Sequence, residues 1–394
     1  MKTFLLLKFG TILNNLGLSS ETLIPIILTL VIAPTAIYFL FLSINIIGLI
    51  FLKKEQKPSN RNPSVSVVVA IRNGEKSLNT LIDCLLNQNY SGEVEFVLVD
   101  DESSDQTISI IKDIEKRDQR FKYVSSLDGD KKLKYKKRAL DAGIKKSSNS
   151  ILLFTDVDCI VGSGWVSSMA NSFNDGVDYV IGFSRAKFKF GLANLFQRID
   201  FLILMFSAAA TTNIKYPLAS SGQNQAYKRR LFNKVGGYDK ISKLLMGDDS
   251  IFLQLCLKQN INVKFCMNHK SFVYCRPEKT WKSLLLQRMR WAGDGNIMWK
   301  YNPIFYLIMA STVFVNLLII ILLFFNWGWI LISVITVKFI LEGLLAYIGS
   351  NKLDKTISID SFVYWFVLNI PYVCLMCFMS FFVKFISWKK REQS

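Results

Sequence analysis

Long apolar stretches bracket a mixed middle. Residues 24–52 and 304–325 are almost uncharged, and at 1.5 Å per residue each can cross a hydrocarbon core of roughly 30 Å. Residues 327–348 and 359–386 are further predicted membrane helices, the first carrying Lys338 and Glu342 and the second Pro371. Lys338 and Glu342 stand four apart, so on a helix they share a face and can neutralise each other; a functional role is the alternative. Residues 190–210 hold too many polar positions to span, and read as an interfacial helix or as ordinary core. Residues 53–63, "KKEQKPSNRNP", are polar and proline-bearing, which makes them a linker.

Inside the bracket the pattern changes period. "SVSVVVAI" is a β-branched run, "SLNTLIDCLLNQNY" has helical spacing, "VEFVLVD" is a second strand, "DQTISIIKDIEKRD" a second helix and "FKYVSS" a third strand. Strands alternating with helices of this length predict βαβ units on a parallel sheet. "ILLFTD" does not alternate, so it is a central strand covered on both faces.

Composition agrees: 51% of the 394 residues are hydrophobic, more than one soluble domain needs. Lys and Arg number 48 against 30 Asp and Glu, a net +18. Part of that excess sits at Lys53, Lys54, Lys57, Arg61, Lys282, Arg288, Arg290 and Lys300, beside the predicted membrane ends. That bias places the middle domain in the cytoplasm against anionic lipid. Nucleic acid is not an expected partner, since the basic residues come without RNP-type or finger motifs. Three spans after the domain would put Lys389, Lys390 and Arg391 outside, where they are disfavoured; either the last segment does not cross or the local bias is overruled.

At the N-terminus Lys8 breaks the apolar stretch and no cleavage-site pattern follows, so residues 24–52 read as an uncleaved anchor. The seven cysteines lack zinc spacing in the soluble part and read as free thiols. A lone His269 leaves little for a histidine metal site or a Ser-His-Asp triad.

In open α/β sheets ligands bind beyond the carboxyl ends of the strands, where "VDDESSD" and "TDVD" both fall. Asp156 and Asp158 leave a strand two residues apart, so both carboxylates can meet one hard cation. Mg²⁺ or Mn²⁺ held on a diphosphate is the chemistry that suits them; solvated turns are the bland alternative.

"SVVVAIRNGE", "FVLVDDESSDQT", "KYKKRALDAGI", "ILLFTDVDC", "SSGQNQAYKRRLFNKVGGYD", "GDDSIFLQLCLK" and "QRMRW" occur in an order and spacing that resemble the membrane-bound family 2 glycosyltransferases. That group includes cellulose, hyaluronan, poly-N-acetylglucosamine and ceramide-glucosyl synthases. The likeness runs from about residue 64 to residue 291 and into the flanking spans. It implies an α/β GT-A-like domain with a parallel-rich sheet, a UDP-sugar donor and inversion at the anomeric carbon.

By the same resemblance Ala70, Arg72, Asp100, Asp101, Lys136 and Asp156 bind the donor, and Asp156 and Asp158 hold the metal. Asp249 is the general base. Gln287 and Arg290 meet the diphosphate, and Asp248 and Trp291 face the acceptor. For Lys136 the alternative is a solvated basic stretch with Lys131, Lys132, Lys134, Lys137 and Arg138. For Asp249 it is an acid favoured by a helix dipole, and for the "QRMRW" helix plain membrane contact. Asp141 replaces the common Asn, and "GDD" replaces the more frequent acidic triplet.

The expected organisation is an N-terminal segment 1–23, a membrane helix 24–52, the linker, a cytoplasmic domain 64–300, membrane helices 304–325, 327–348 and 359–386, and a basic tail 387–394. Such a chain belongs in a membrane, by expectation a bacterial inner membrane. Polymer synthesis is the preferred function, since the "QRMRW" helix feeds directly into a span. Single transfer to a membrane lipid is the alternative, and a catalytically dead scaffold is disfavoured because no acid is missing. No Phe-x-Val-Thr-x-Lys gating motif follows Trp291, against a cellulose-like machine. A membrane partner or second copy is expected if four helices must enclose a polymer.

Overall fold

The computed structural model describes residues 28–52, 62–173, 176–324, 328–353 and 357–383. The expected segment 1–23, residues 53–61 of the linker and the basic tail lie outside the described residues. A π-helical turn, Leu28–Ile32, leads into α1 (Ala33–Ile50). The domain opens with β1 (Val65–Ile71), α2 (Glu75–Leu86), β2 (Val94–Asp100), α3 (Thr107–Arg117), β3 (Phe121–Ser125), α4 (Lys136–Lys146) and β4 (Ile151–Phe154). It continues through β5 (Cys159–Val161), α5 (Trp165–Asn171), β6 (Val177–Gly182), β7 (Ser184–Ala186), α6 (Leu192–Asn213), β8 (Gln225–Lys228), α7 (Arg229–Val235), α8 (Ser250–Leu257), β9 (Asn262–Cys266) and β10 (Val273–Cys275). α9 (Trp281–Gly295), α10 (Pro303–Phe324), α11 (Gly328–Lys352) and α12 (Ile359–Ser380) complete it.

Seven strands form one sheet in the order β3-β2-β1-β4-β8-β6-β9, and β5-β10-β7 form a second. β3, β2, β1 and β4 run parallel, β8 is antiparallel to both neighbours, and β9 is parallel to β6. The parallel-rich sheet is therefore as the alternation of strands and helices predicted. The β-branched runs are buried on both faces, with Val65, Val67, Val68, Val69 and Ile71 fully covered, as a central parallel strand requires. Ile71 lies opposite Asp100, while Phe154 lies opposite Val68, so the chain after β4 turns outward beside the end of β1. This register gathers the acidic strand exits at one edge.

Five helices are long and apolar enough to cross a membrane, among the described residues: Thr29–Ile50, α6, α10, α11 and α12. α6 qualifies by length and apolar composition alone, beside the expectation that it is an interfacial helix or ordinary core. It differs from the others in burial: 61% of its most apolar window is covered, against 22–28%. Its polar side chains are used inside the protein. Gln197 exchanges bonds of 2.9 and 3.0 Å with the backbone of Glu278, Asn213 donates to the Gly48 carbonyl at 2.9 Å, and Asp200 lies 3.2 Å from Arg288.

The predicted pair on α11 is present. Lys338 Nζ donates to Glu342 Oε2 at 2.6 Å, and the Tyr38 hydroxyl of α1 donates to Glu342 Oε1 at 2.5 Å. Lys352, at the end of α11, donates to the carbonyls of Ile50 and Leu52 at 3.0 and 3.1 Å. α12 ends at Ser380, six residues short of the expected boundary at 386, and its Ser380 Oγ accepts from Asn296 Nδ2 at 2.9 Å.

Candidate active site

The loops after β1 and β2 are stitched together by their own polar groups. Asp101 N donates to the Ile71 carbonyl at 2.7 Å, and Arg72 Nη1 donates to the Asp101 carbonyl at 2.9 Å. Asp100 accepts from Ser103 N at 3.2 Å, and both Asp100 and Asp101 are buried. Ala70 remains within β1, opposite Val99. Four of the residues expected at the donor thus share one strand edge.

Past β4, Asp156, Asp158 and Cys159 bring one ligand atom each within 4.8 Å of one another. Burial first, then the charges of Asp156 and Asp158, push the Cys159 thiol well up, so it stays protonated. What remains is a pair of carboxylates with Asp158 exposed, a donor set that fits a hard divalent cation better than a thiophilic one.

Lys136 does not lie in a solvated run. Lys131, Lys132 and Lys134 are exposed, but at the start of α4 the chain turns inward. Lys136 Nζ lies 2.7 Å from Asp156 Oδ1 and 3.2 Å from Asp248 Oδ2, while Lys137 Nζ caps the carbonyls of Leu244 and Met246. Burial works against the Lys136 charge, but Asp156, Asp248 and Asp249 outweigh it and hold the ammonium well above its usual range. One lysine therefore bridges the metal-ligand candidates and the "GDD" turn. The unusual Asp141 accepts from Asp130 N at 2.8 Å and pairs with Lys145 at 2.7 Å, a local structural use.

The turn itself depends on Gly247, whose φ of +101° only glycine adopts without strain. It delivers two adjacent carboxylates into different surroundings. Asp248, expected at the acceptor, lies 3.2 Å from Lys136 Nζ; burial would raise its pKa, but Lys136 and Lys137 prevail and lower it. Asp249 is pushed up to about 6, by burial first and then by the neighbouring Asp248 charge. It caps α8, with Oδ1 accepting from Ser250 N at 2.5 Å and Oδ2 from Gly222 N at 3.3 Å. A Cβ on Gly222 would come within 3.2 Å of Lys136 Nζ and 3.3 Å of Asp248 Oδ2, so a side chain there would press on both charged groups. Two carboxylates with divided proton affinities are an acid–base arrangement.

α9 opens on a capping box between Thr280 and Ser283, which sets the helix that carries the "QRMRW" residues. Gln287 Nε2 donates to Glu278 Oε1 at 3.2 Å, and the Glu278 charge also acts on Arg290. Trp291 is clamped: the Arg288 guanidinium lies 4.0 Å from its ring centre and Phe201 of α6 5.8 Å from it. A cleft of about 320 Å³ joins Asp158 to residues 276–280 and Ser283. Gln287 and Arg290 thus share a carboxylate from the segment that lines the cleft reaching Asp158. Arg290→Lys keeps the charge but loses the planar fork that grips a phosphate at two points, so activity is expected well below wild type. An equally active lysine variant would make Arg290 a membrane-surface charge, as steady-state kinetics would show.

Three residues escaped the sequence reading: Glu278, Gly222 and Asp294. Burial, followed by Asp249 and Asp248, raises the Asp294 carboxyl to about 8, so it is neutral at pH 7. Gly222 lay within a quoted motif, but nothing local signalled the other two, because each gains its meaning from residues far away in the chain.

Comparison with known proteins follows the same division of the chain. Residues 66–236 match the profile described as glycosyl transferase family 2, and residues 187–383, half of the chain, match glycosyl transferase family group 2. A poly-beta-1,6-N-acetyl-D-glucosamine synthase of Staphylococcus epidermidis is 26% identical over 66% of this chain and 64% of its own length. A GalNAc(5)-diNAcBac-PP-undecaprenol beta-1,3-glucosyltransferase of Campylobacter jejuni is 29% identical over 30% of this chain and 38% of its own. Both alignments leave more than a third of the relative uncovered. A solved mannosyltransferase from Pyrobaculum calidifontis, in complex with GDP-Man and Mn²⁺, superposes with a TM-score of 0.55 at 14% identity, over 91% of this chain and all of that one. At that identity the likeness shows the fold, which is the GT-A-like one expected.

Proposed function

Because the chain belongs to the family 2 glycosyltransferases, we propose that its site transfers a sugar from a nucleotide-diphosphate donor to an acceptor at the membrane, with inversion at the anomeric carbon. The observation that carries this reading is the divided pair Asp248 and Asp249, tied through Lys136 to Asp156. Asp249, with a pKa near 6, is ionised at neutral pH yet basic enough to take the proton of an attacking hydroxyl. Asp248 keeps its charge against Lys136 and raises the proton affinity of its neighbour.

Asp156 and Asp158 would hold Mg²⁺ or Mn²⁺, which supplies charge neutralisation on the diphosphate. Gln287 and Arg290 meet the same leaving group from α9, where preorganised donors serve developing charge. Asp100 and Asp101 provide acceptors for a nucleoside, UDP in the preferred reading. Trp291, held by Arg288, offers an aromatic face to the acceptor. Likeness to the Staphylococcus synthase supports a polysaccharide acceptor, and likeness to the Campylobacter enzyme a lipid-linked one.

The test is UDP release from a panel of UDP-sugars, with Mn²⁺, as a function of pH. Since Asp249 acts when ionised, the rate is expected to fall about tenfold per pH unit below 6 and to level off above it. A rate without an acid limb between pH 5 and 7 would remove Asp249 from the chemistry.

A further inference from the structure

α12 was expected to cross the membrane, and its two ends bear on that. α1 ends at Ile50, just before the domain, and α11 returns to the same place, since Lys352 donates to the Ile50 and Leu52 carbonyls. α12 begins seven residues later at Ile359, therefore on the domain side. A crossing helix of 22 residues would end about 33 Å away, on the far side. Instead Ser380 bonds Asn296, the residue that follows α9 and stands seven before the start of α10 at Pro303. Val383 packs there too, where a Cβ on Gly293 would come within 2.9 Å of it.

The helix touches domain elements along its length. The Tyr364 hydroxyl donates to the Leu192 carbonyl at 3.3 Å, and the Tyr372 ring lies 4.8 Å from that of Phe196, both partners at the start of α6. α6 is itself joined to the main and second sheets at both ends, through β7 and β8. On the other side of α12, Ile359, Val363, Val367, Leu375 and Phe378 are exposed at intervals that form one apolar stripe.

We propose that α12 lies in the domain-side part of the bilayer without crossing it, its apolar stripe against acyl chains, leaving α1, α10 and α11 as the crossing helices among the described residues. This arrangement removes the charge conflict that a further crossing creates at Lys389, Lys390 and Arg391. It also bears on the acceptor, and this part rests on the transfer reading given above. The three crossing helices among the described residues enclose no lumen for a polar polymer, whereas a lipid-borne acceptor needs none. The acceptor class that fits one copy is a lipid-linked hydroxyl or phosphate presented from the bilayer.

The experiment places a cysteine at the end of the full chain, Ser394→Cys, in a protein whose seven native cysteines are serine. A membrane-impermeant maleimide is applied to inside-out and to right-side-out vesicles. Labelling from the face that carries the domain is expected, and labelling from the opposite face overturns the placement. Fusions at Val383 to green fluorescent protein and to alkaline phosphatase give a second reading, should the cysteine-free chain not fold. Fluorescence without phosphatase activity is expected there, and an active phosphatase overturns it. For the acceptor, purified single copies in nanodiscs are expected to yield an organic-extractable product; a water-soluble, glycosidase-sensitive polymer overturns that part and leaves the placement of α12 standing. Unimpaired transfer in an Asp249 variant would instead strike the site reading alone.

Discussion

Asp249→Asn is expected to lower turnover by roughly 10² to 10⁴ while folding and UDP binding persist, the usual worth of a positioned general base. The substitution is discriminating because Asp249 has a second job. It caps α8 through Ser250 N, and asparagine is as good an N-cap as aspartate. Were capping its only role, the variant would therefore be close to wild type. The asparagine cannot take a proton, so a role in chemistry and a role in helix capping give opposite results in one assay. Near-normal transfer would return Asp249 to capping. Circular dichroism and UDP titration on the same preparation establish that the fold and donor site survive.

Asp158→Asn is expected to remove the part of UDP binding that depends on Mn²⁺ or Mg²⁺. Residues one step behind a metal ligand already account for about 10- to 100-fold in metal affinity, and a ligand itself should cost at least as much. The exposed Asp158 makes a better probe than Asp156, whose carboxylate also accepts from Lys136 at 2.7 Å. Removing the Asp156 charge would disturb Lys136, Asp248 and Asp249 together, and the loss could not be assigned. Calorimetry with UDP, with and without the cation, decides the matter. Unchanged metal-dependent affinity in the Asp158 variant would dismiss the metal assignment.

Legibility in the sequence followed the range of the interaction. The parallel strands were readable because burial on both faces leaves an unbroken Val and Ile run, and the Asp156–Asp158 pair because both acids leave one strand together. Lys338 with Glu342 was readable because four residues make one helical turn. Lys136 was not separable from the lysines around it by charge alone. Its fate is decided by Asp156 and Asp248, 20 and 112 residues further along the chain.

The sequence left α6 between an interfacial helix and ordinary core for a related reason. Gln197, Asp200 and Asn213 look like interruptions until their partners on Glu278, Arg288 and Gly48 are known. A polar side chain disqualifies a helix from an apolar place only if it has nothing to bond. Glu278 and Asp294 belong to the same class, since their significance comes from Gln287 and from Asp249 rather than from their neighbours in sequence.

The bond between Tyr38 and Glu342 spans 304 residues and has a bearing on how the chain is assembled during synthesis. Glu342 enters the bilayer with its neutralising lysine already on the same helix, so α11 can insert as a unit. α1, by contrast, is inserted long before its partner exists and waits with a tyrosine hydroxyl unmatched in the bundle. The whole transferase domain is translated in that interval, and a domain able to bury its own core can fold as it emerges. The domain is thus made first, and the membrane bundle that carries it closes last.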